Sequence, residues 1–136
     1  MAEVQDIREN IQIPSGGPLH SYANVYFDAR NPMMYKRQEL AQTLCVLAIS
    51  PKILDLPGTI VSDGNAASQY TRLYPASSGI SQLNFGIIYS PWWTDEDPFE
   101  QYAKKRIKCA EVLVPDRIPY GDILQAIVVG NLSLRN

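Results

Sequence analysis

Two charged residues stand where a charge is either costly or useful. Glu111 lies in Cys109-Ala110-Glu111-Val112-Leu113-Val114, whose other members are apolar. A carboxylate is expensive to bury there unless it is hydrogen-bonded or paired. Held at a pocket edge, it is a group that its surroundings can tune for chemistry. An outward-facing position on an edge strand is the competing account. Arg30 follows the strand-like Val25-Tyr26-Phe27 and leads into Asn31-Pro32. A strand end is where sites are often built, and a guanidinium there can grip phosphate or carboxylate in a bidentate way. A surface ion pair to Asp28 or Glu39 is the competing account.

Further candidates carry weaker signals. Lys104-Lys105-Arg106-Ile107-Lys108 holds four positive charges in five residues just before Glu111. Such a run can attract a nucleic-acid backbone, or it can be a solvated helix face. Tyr22, Tyr26, Trp92 and Trp93 offer rings on which bases could stack, although core packing accounts for them as well. His20, the one histidine, stands in Gly16-Gly17-Pro18-Leu19-His20-Ser21-Tyr22, where a lone loop histidine is more often structural than catalytic. The chain shows no nucleophile–base–orienter triad, P-loop, GxGxxG or HExxH pattern, and Ser15–Pro18 (SGGP) is a weak phosphate-cradle signal.

The elements that must position these residues are short. Ten prolines and eight glycines cut the 136 residues into pieces that suit strands and brief helices better than a bundle. Alternation predicts a strand at Ile11–Ile13, ending at Pro14, and β-forming residue types predict one at Ala23–Phe27. Helical spacing begins at Met33–Arg37 and runs to about Ala41. Thr43–Ile49 reads as a strand buried on both faces. Gly58–Val61 is the next strand, closed by the turn Ser62–Asn65. Ala66–Tyr74 suits a short helix, Pro75–Ser81 a loop, Leu83–Ser90 a strand or buried loop, and Pro91–Pro98 a loop.

Phe99–Arg106 has helical spacing with Phe99, Tyr102 and Ala103 on one side. Lys108–Val114 follows as a strand, with Cys109, Glu111 and Leu113 on one face. Asp122–Val129 is a helix or strand ending at Gly130-Asn131. The sum is a single α+β domain with mixed, largely antiparallel sheets.

Composition narrows the function classes. Apolar residues make up 46% and charged residues 19%, a globular profile that can bury one core. The net charge of −2 and pI of about 5.3 argue against a general nucleic-acid coat protein, though not against a local basic patch. Cys45 and Cys109 form no metal-ligand spacing, so no metal is expected. Both read as buried thiols of a reducing cytosol. Met1–Ile7 lacks an apolar signal core, the tail Leu132–Asn136 has no cysteine to lipidate, and no apolar run reaches the ~18 residues of a membrane span. A cytoplasmic protein without membrane attachment is expected.

These stretches together resemble the DarT family of DNA ADP-ribosyltransferases. The resemblance rests on Gly17-Pro18-Leu19-His20-Ser21-Tyr22, on Val25-Tyr26-Phe27-Asp28-Ala29-Arg30-Asn31-Pro32-Met33, on Ser62-Asp63-Gly64-Asn65-Ala66, and on Lys105-Arg106 followed by Ala110-Glu111-Val112-Leu113-Val114. It covers the chain from about Ile11 onward. It implies an ADP-ribosyltransferase-like fold around an NAD cleft, with NAD as substrate. It implies that Arg30 and Glu111 are catalytic, that His20, Tyr22 and Arg30 contact NAD within Pro14–Pro32, and that Asn65, Lys104, Lys105 and Arg106 meet DNA. A bacterial toxin acting on single-stranded DNA, partnered by a macrodomain antitoxin, is implied as well.

Members of the family carry an N-terminal segment with a histidine-containing NAD-binding motif ahead of the part that aligns. The expectation is therefore one domain over 1–136 that is incomplete at its N-terminus. Two other readings stay open: an inactive module that binds nucleic acid or a partner protein, and a transferase whose target is protein or RNA.

Overall fold

Every ladder in the computed structural model, which describes residues 11–13, 16–40 and 43–128, is antiparallel. Among the described residues six strands occur in chain order: β1 (Tyr22–Tyr26), β2 (Cys45–Ile49), β3 (Ile60–Ser62), β4 (Leu73–Pro75), β5 (Glu111–Pro115) and β6 (Ile123–Val128). One sheet has the order β1-β5-β3-β4, and β2 pairs with β6 in a separate two-stranded ribbon. The helices are α1 (Pro32–Lys36), α2 (Ala76–Gly79), α3 (Phe85–Ile88) and α4 (Pro98–Lys108), joined by 3₁₀ turns. This is the mixed, largely antiparallel α+β architecture expected from the sequence.

β5 sits inside the four-stranded sheet, and Glu111, Val112, Leu113 and Val114 are all buried. Period-2 alternation divides them between two layers. Leu113 packs with Ile13, Leu19, Ile60 and Ala66. Val112 and Val114 pack on the other face with Ile53, Val61 and Ala76. Each buried valine, leucine or isoleucine among them contributes about 1.5–3 kcal/mol through burial. The second layer is tight at Gly79, where a Cβ would collide with Tyr74 and Val61.

Local sequence explains the two helices nearest the charged candidates. Asn31 caps α1 by accepting from the N–H groups of Met33 (3.0 Å) and Met34 (3.1 Å), and Pro32 occupies the first turn. Asp97 caps α4 by accepting from the Phe99 N–H at 2.9 Å. Lys105, Arg106 and Lys108 lie in the last turn of α4, where the helix dipole favours cations.

Several expected elements take another form. Cys45–Ile49 is not buried on both faces: it lies in the two-stranded ribbon, and Leu47 is 49% exposed. A continuous apolar run does not distinguish a central strand from a ribbon that leans on the core with one side. Cys45 is likewise exposed, not buried. Asn65–Tyr70 forms turns instead of a helix and leads into β4. Pro75 opens α2 where a loop was expected, and Asn84 caps the short helix α3 where a strand or loop was expected.

Helix α1 ends at Lys36 and is followed by a 3₁₀ turn, Gln38–Leu40. Ile11–Ile13 makes only an isolated bridge, between Gln12 and Pro18. Phe99 and Tyr102 face outward, so helical spacing there does not mark a core face. Helix α4 runs on to Lys108, and Cys109 is its cap, so Cys109 is not in the strand with Glu111. The expectations at Met1–Ile7, Pro14, Ser15, Ala41 and Val129–Asn136 lie outside the described residues.

Candidate active site

Glu111 opens β5 opposite Tyr26, the last residue of β1. Directly paired residues share a face, so Tyr22, Asn24 and Tyr26 line up on the Glu111 side of the sheet. The side chain is 2% exposed, and both carboxylate oxygens accept hydrogen bonds. Oε1 accepts from Asn24 Nδ2 at 2.9 Å, and Oε2 accepts from the backbone N–H of Ala66 at 2.8 Å. Its own backbone N–H donates to Ser62 Oγ at 2.9 Å, and that hydroxyl donates onward to the Gly64 carbonyl at 2.6 Å. The carboxylate is thus held by β1 on one side and by the Ser62–Ala66 turn on the other. Hydrogen bonds to a carboxylate are the strong kind that fix its direction.

Arg30 sits four residues beyond Tyr26 and is exposed. The Phe27 N–H donates to the Ala110 carbonyl at 3.3 Å, which holds the end of β1 against the approach to Glu111. The turn that follows is fixed by side chains. Asp28 Oδ1 accepts from the Arg30 N–H at 3.0 Å, and Asn31 Nδ2 donates to the Asp28 carbonyl at 2.7 Å. The guanidinium is therefore presented from a braced turn.

Behind this turn lies Lys108, which is fully buried. Its Nζ donates to the carbonyls of Ile88 (2.8 Å) and Ser90 (2.7 Å), stands 3.7 Å from Asp28 Oδ2, and lies 6.0 Å from the centre of the Trp93 ring. Burial pushes the ammonium below its ordinary pKa, Asp28 opposes that, and Arg30 adds to it. Lys108 is accordingly no part of a solvated basic face. The neighbouring thiol of Cys109 is pushed up to about 11, chiefly by burial and further by Glu111, against a backbone contact with Met33.

The other sequence candidates spread over two places. His20 is exposed in the turn Leu19–Ser21, and Tyr22 packs beside the Leu113 cluster. A Cβ at Gly16 would collide with the Tyr22 hydroxyl, so glycine permits the close approach of that loop to β1. Asn65, Lys105 and Arg106 line a groove of about 450 Å³, together with Pro32 and Met33 of α1. Lys104 points elsewhere and pairs with Asp95 at 2.7 Å, which holds that carboxyl below its usual range. Asn24, Ser62 and Asp28 escaped the sequence reading as site residues, and Lys108 entered it only as part of the basic run. The alternation of Asn24 with Tyr22 and Tyr26 is the signal that could have grouped it with their face of β1.

A family model described as single-stranded DNA thymidine ADP-ribosyltransferase, DarT, matches residues 1–135. The chain belongs to the DarT family. A DNA ADP-ribosyl transferase–DNA ADP-ribosyl glycohydrolase fusion protein of Thermosipho africanus is 35% identical over 101 residues, covering 71% of this chain and 25% of the fusion. The DNA ADP-ribosyl transferase of Thermus sp. is 27% identical over 139 residues, covering 94% of this chain and 64% of the relative. The chain therefore spans a quarter to just under two thirds of these relatives' lengths.

The Thermus DarT structure in complex with ADP-ribosylated single-stranded DNA superposes with a TM-score of 0.76 at 24% identity, over 92% of this chain and 63% of that one. Its complex with NAD+ gives 0.72, also at 24% identity, over 88% and 64%. The fold of this DarT-family chain is thus that of the solved DarT structures. Among its described residues no helix is long and apolar enough to cross a membrane, and no group of three or more His, Cys, Asp or Glu side chains is placed to hold a metal ion.

Proposed function

We propose that this chain transfers ADP-ribose from NAD to thymidine in single-stranded DNA. The observation that carries the reading is the Glu111 carboxylate. It is buried, it is hydrogen-bonded on both oxygens, and it adjoins the braced turn of Arg30. The family description names the reaction, and the Thermus relative binds both NAD+ and ADP-ribosylated DNA.

The chemistry suits the residue types. The bond between nicotinamide and ribose breaks with its electron pair leaving on nicotinamide, and positive charge builds on the sugar as in other glycosidic cleavages. Glu111 stabilises that charge from a fixed direction, which is how a preorganised group lowers a barrier without reorganising. Asn24 and the Ala66 N–H keep it aimed. Arg30 holds the pyrophosphate; a guanidinium resists deprotonation too strongly to serve as a ready base. His20 and Tyr22 complete the NAD contacts from the Gly16–Tyr22 loop. A base nitrogen then forms the new bond to the sugar, and its proton passes to solvent water. Asn65, Lys105 and Arg106 present the strand, whereas Lys104 is committed to Asp95 away from the groove.

The proposed setting is a bacterial toxin of a toxin–antitoxin pair in the cytoplasm, opposed by a macrodomain partner that removes the modification. The Thermosipho fusion of a transferase with a glycohydrolase supports this. The test is mass spectrometry of a thymidine-containing oligonucleotide incubated with protein and NAD. One added ADP-ribose, absent with Glu111→Gln, is expected. A folded wild-type protein that adds nothing overturns the reading and favours a binding module. Label on protein or RNA alone favours the third reading.

A further inference from the structure

Arg30 has an acidic neighbour two residues away, yet the two side chains do not pair. Among the described residues the exposed Arg30 guanidinium forms no ion pair, whether with Asp28, Glu39 or another carboxylate. An arginine and an aspartate this close in sequence attract each other, with a modest gain in water. The reason they stay apart lies behind the turn. Asp28 divides its two oxygens: Oδ1 accepts the Arg30 backbone N–H at 3.0 Å, and Oδ2 stands 3.7 Å from Lys108 Nζ.

Lys108 is built to hold that carboxylate. Its side chain is fully buried, and its ammonium is fixed by the carbonyls of Ile88 and Ser90 at 2.8 and 2.7 Å. A buried cation needs a counter-charge, and Asp28 is the carboxylate that supplies it among the described residues. The ammonium cannot swing away into water, so the partnership is not shared as a surface pair would be. Lys108 also acts on Arg30 directly. Burial is the first cause that pushes the Lys108 ammonium below its ordinary pKa, and repulsion from Arg30 is a further one, against the attraction of Asp28. The same repulsion favours a guanidinium turned toward solvent.

We propose that Lys108 keeps Arg30 free by occupying Asp28, so that the guanidinium reaches the NAD pyrophosphate instead of closing on its own turn. Lys108 is then a positioning residue: it acts through Asp28 and touches no substrate. The inference rests on the proposed NAD contact of Arg30, but the state of the guanidinium can be read without NAD.

The experiment is nitrogen-15 NMR of the Arg30 side-chain Nε–H in NAD-free protein, with NAD binding measured by calorimetry on the same samples. In the wild type this proton should exchange with water as fast as that of an unpaired arginine. Lys108→Gln removes the charge and retains an amide donor for one of the two carbonyls. It is expected to slow the exchange, as Asp28 turns to the guanidinium, and to weaken NAD binding about fivefold, the scale of an exposed ion pair that must first be broken. Adding Asp28→Asn keeps an oxygen for the Arg30 N–H and removes the competing charge. The double variant should free the guanidinium again and recover NAD affinity to within about twofold of wild type. Its stability in urea should stay below wild type, because the carbonyls still lack their ammonium. A merely structural role for Lys108 leaves the double variant binding as weakly as the single one.

An Arg30 Nε–H already protected in the wild type, as in a carboxylate pair, overturns the inference without any variant. So does Lys108→Gln binding NAD like wild type, or a double variant no better than the single. If the guanidinium follows the expected order and NAD does not bind, the Lys108–Asp28 lock stands and the proposed reaction falls. If transfer occurs and Lys108→Gln leaves both the Arg30 signal and NAD affinity unchanged, the reverse holds.

Discussion

The ammonium of Lys108 lies 3.7 Å from Asp28 Oδ2, and Asp28 uses its other oxygen to accept the backbone N–H of Arg30. One buried cation thereby ties the end of α4, three residues ahead of Glu111, to the turn that presents the arginine. The same ammonium closes the carbonyls of Ile88 and Ser90, so three segments meet on one atom.

Removing that atom has a predictable cost. Lys108→Met keeps an apolar stem of similar length but leaves two carbonyls and a carboxylate without their donor. A loss of about 2–4 kcal/mol in urea unfolding is expected. Wild-type stability in this variant would show that the ammonium does not hold the corner together.

Asn24 is expected to act through Glu111. Asn24→Ala removes the donor to Oε1, and the rate of transfer should fall about tenfold while the KM for NAD stays near wild type. Asn24→Asp sets a second carboxylate 87 residues away in sequence but adjacent in space. Like charges there repel, so its loss should exceed that of alanine. The order of the two rates, measured under one set of conditions, is the check.

Arg30→Lys keeps the charge and removes the planar fork. A fall in kcat/KM of about tenfold or more is expected, the equivalent of about 1.4 kcal/mol or more. Equal kinetics would mean that a point charge suffices at this position.

The two thiols should react differently. Cys45 is exposed and should be alkylated readily at about pH 8, whereas Cys109 stays protected until the chain unfolds. Burial raises the Cys109 thiol from 9.0 to about 11 in the folded state. The sign follows from proton binding: between those values the unfolded thiol has lost its proton and the folded one has not. The associated stability is complete below 9.0 and is lost as the pH rises through about 11. Labelling mapped by mass spectrometry, with unfolding followed across that range, tests both statements.

The chain's own residues determined more of this protein than any periodicity did. β-forming residue types identified β1, and the apolar run around Glu111 identified β5, which is buried on both faces. Helical spacing identified Phe99–Arg106 within α4, although the Asp97 cap and Pro98 that open it were read as part of a loop. Glu111 and Arg30 were singled out because a charge in an apolar run, or at a strand end before Asn-Pro, needs a reason. Tertiary structure decided the rest. Thr43–Ile49 became an exposed ribbon because only pairing decides whether an apolar strand is central. Lys108 turned from a candidate surface cation into a buried tie because α4 continues two residues beyond the expected Phe99–Arg106 and folds that position inward. Asn24 met Glu111 because the β1–β5 register, set by side chains 87 residues apart, brings them to one face. Interactions between neighbours in sequence are written in residue types. Those between distant segments depend on which surfaces the whole chain finds it best to bury.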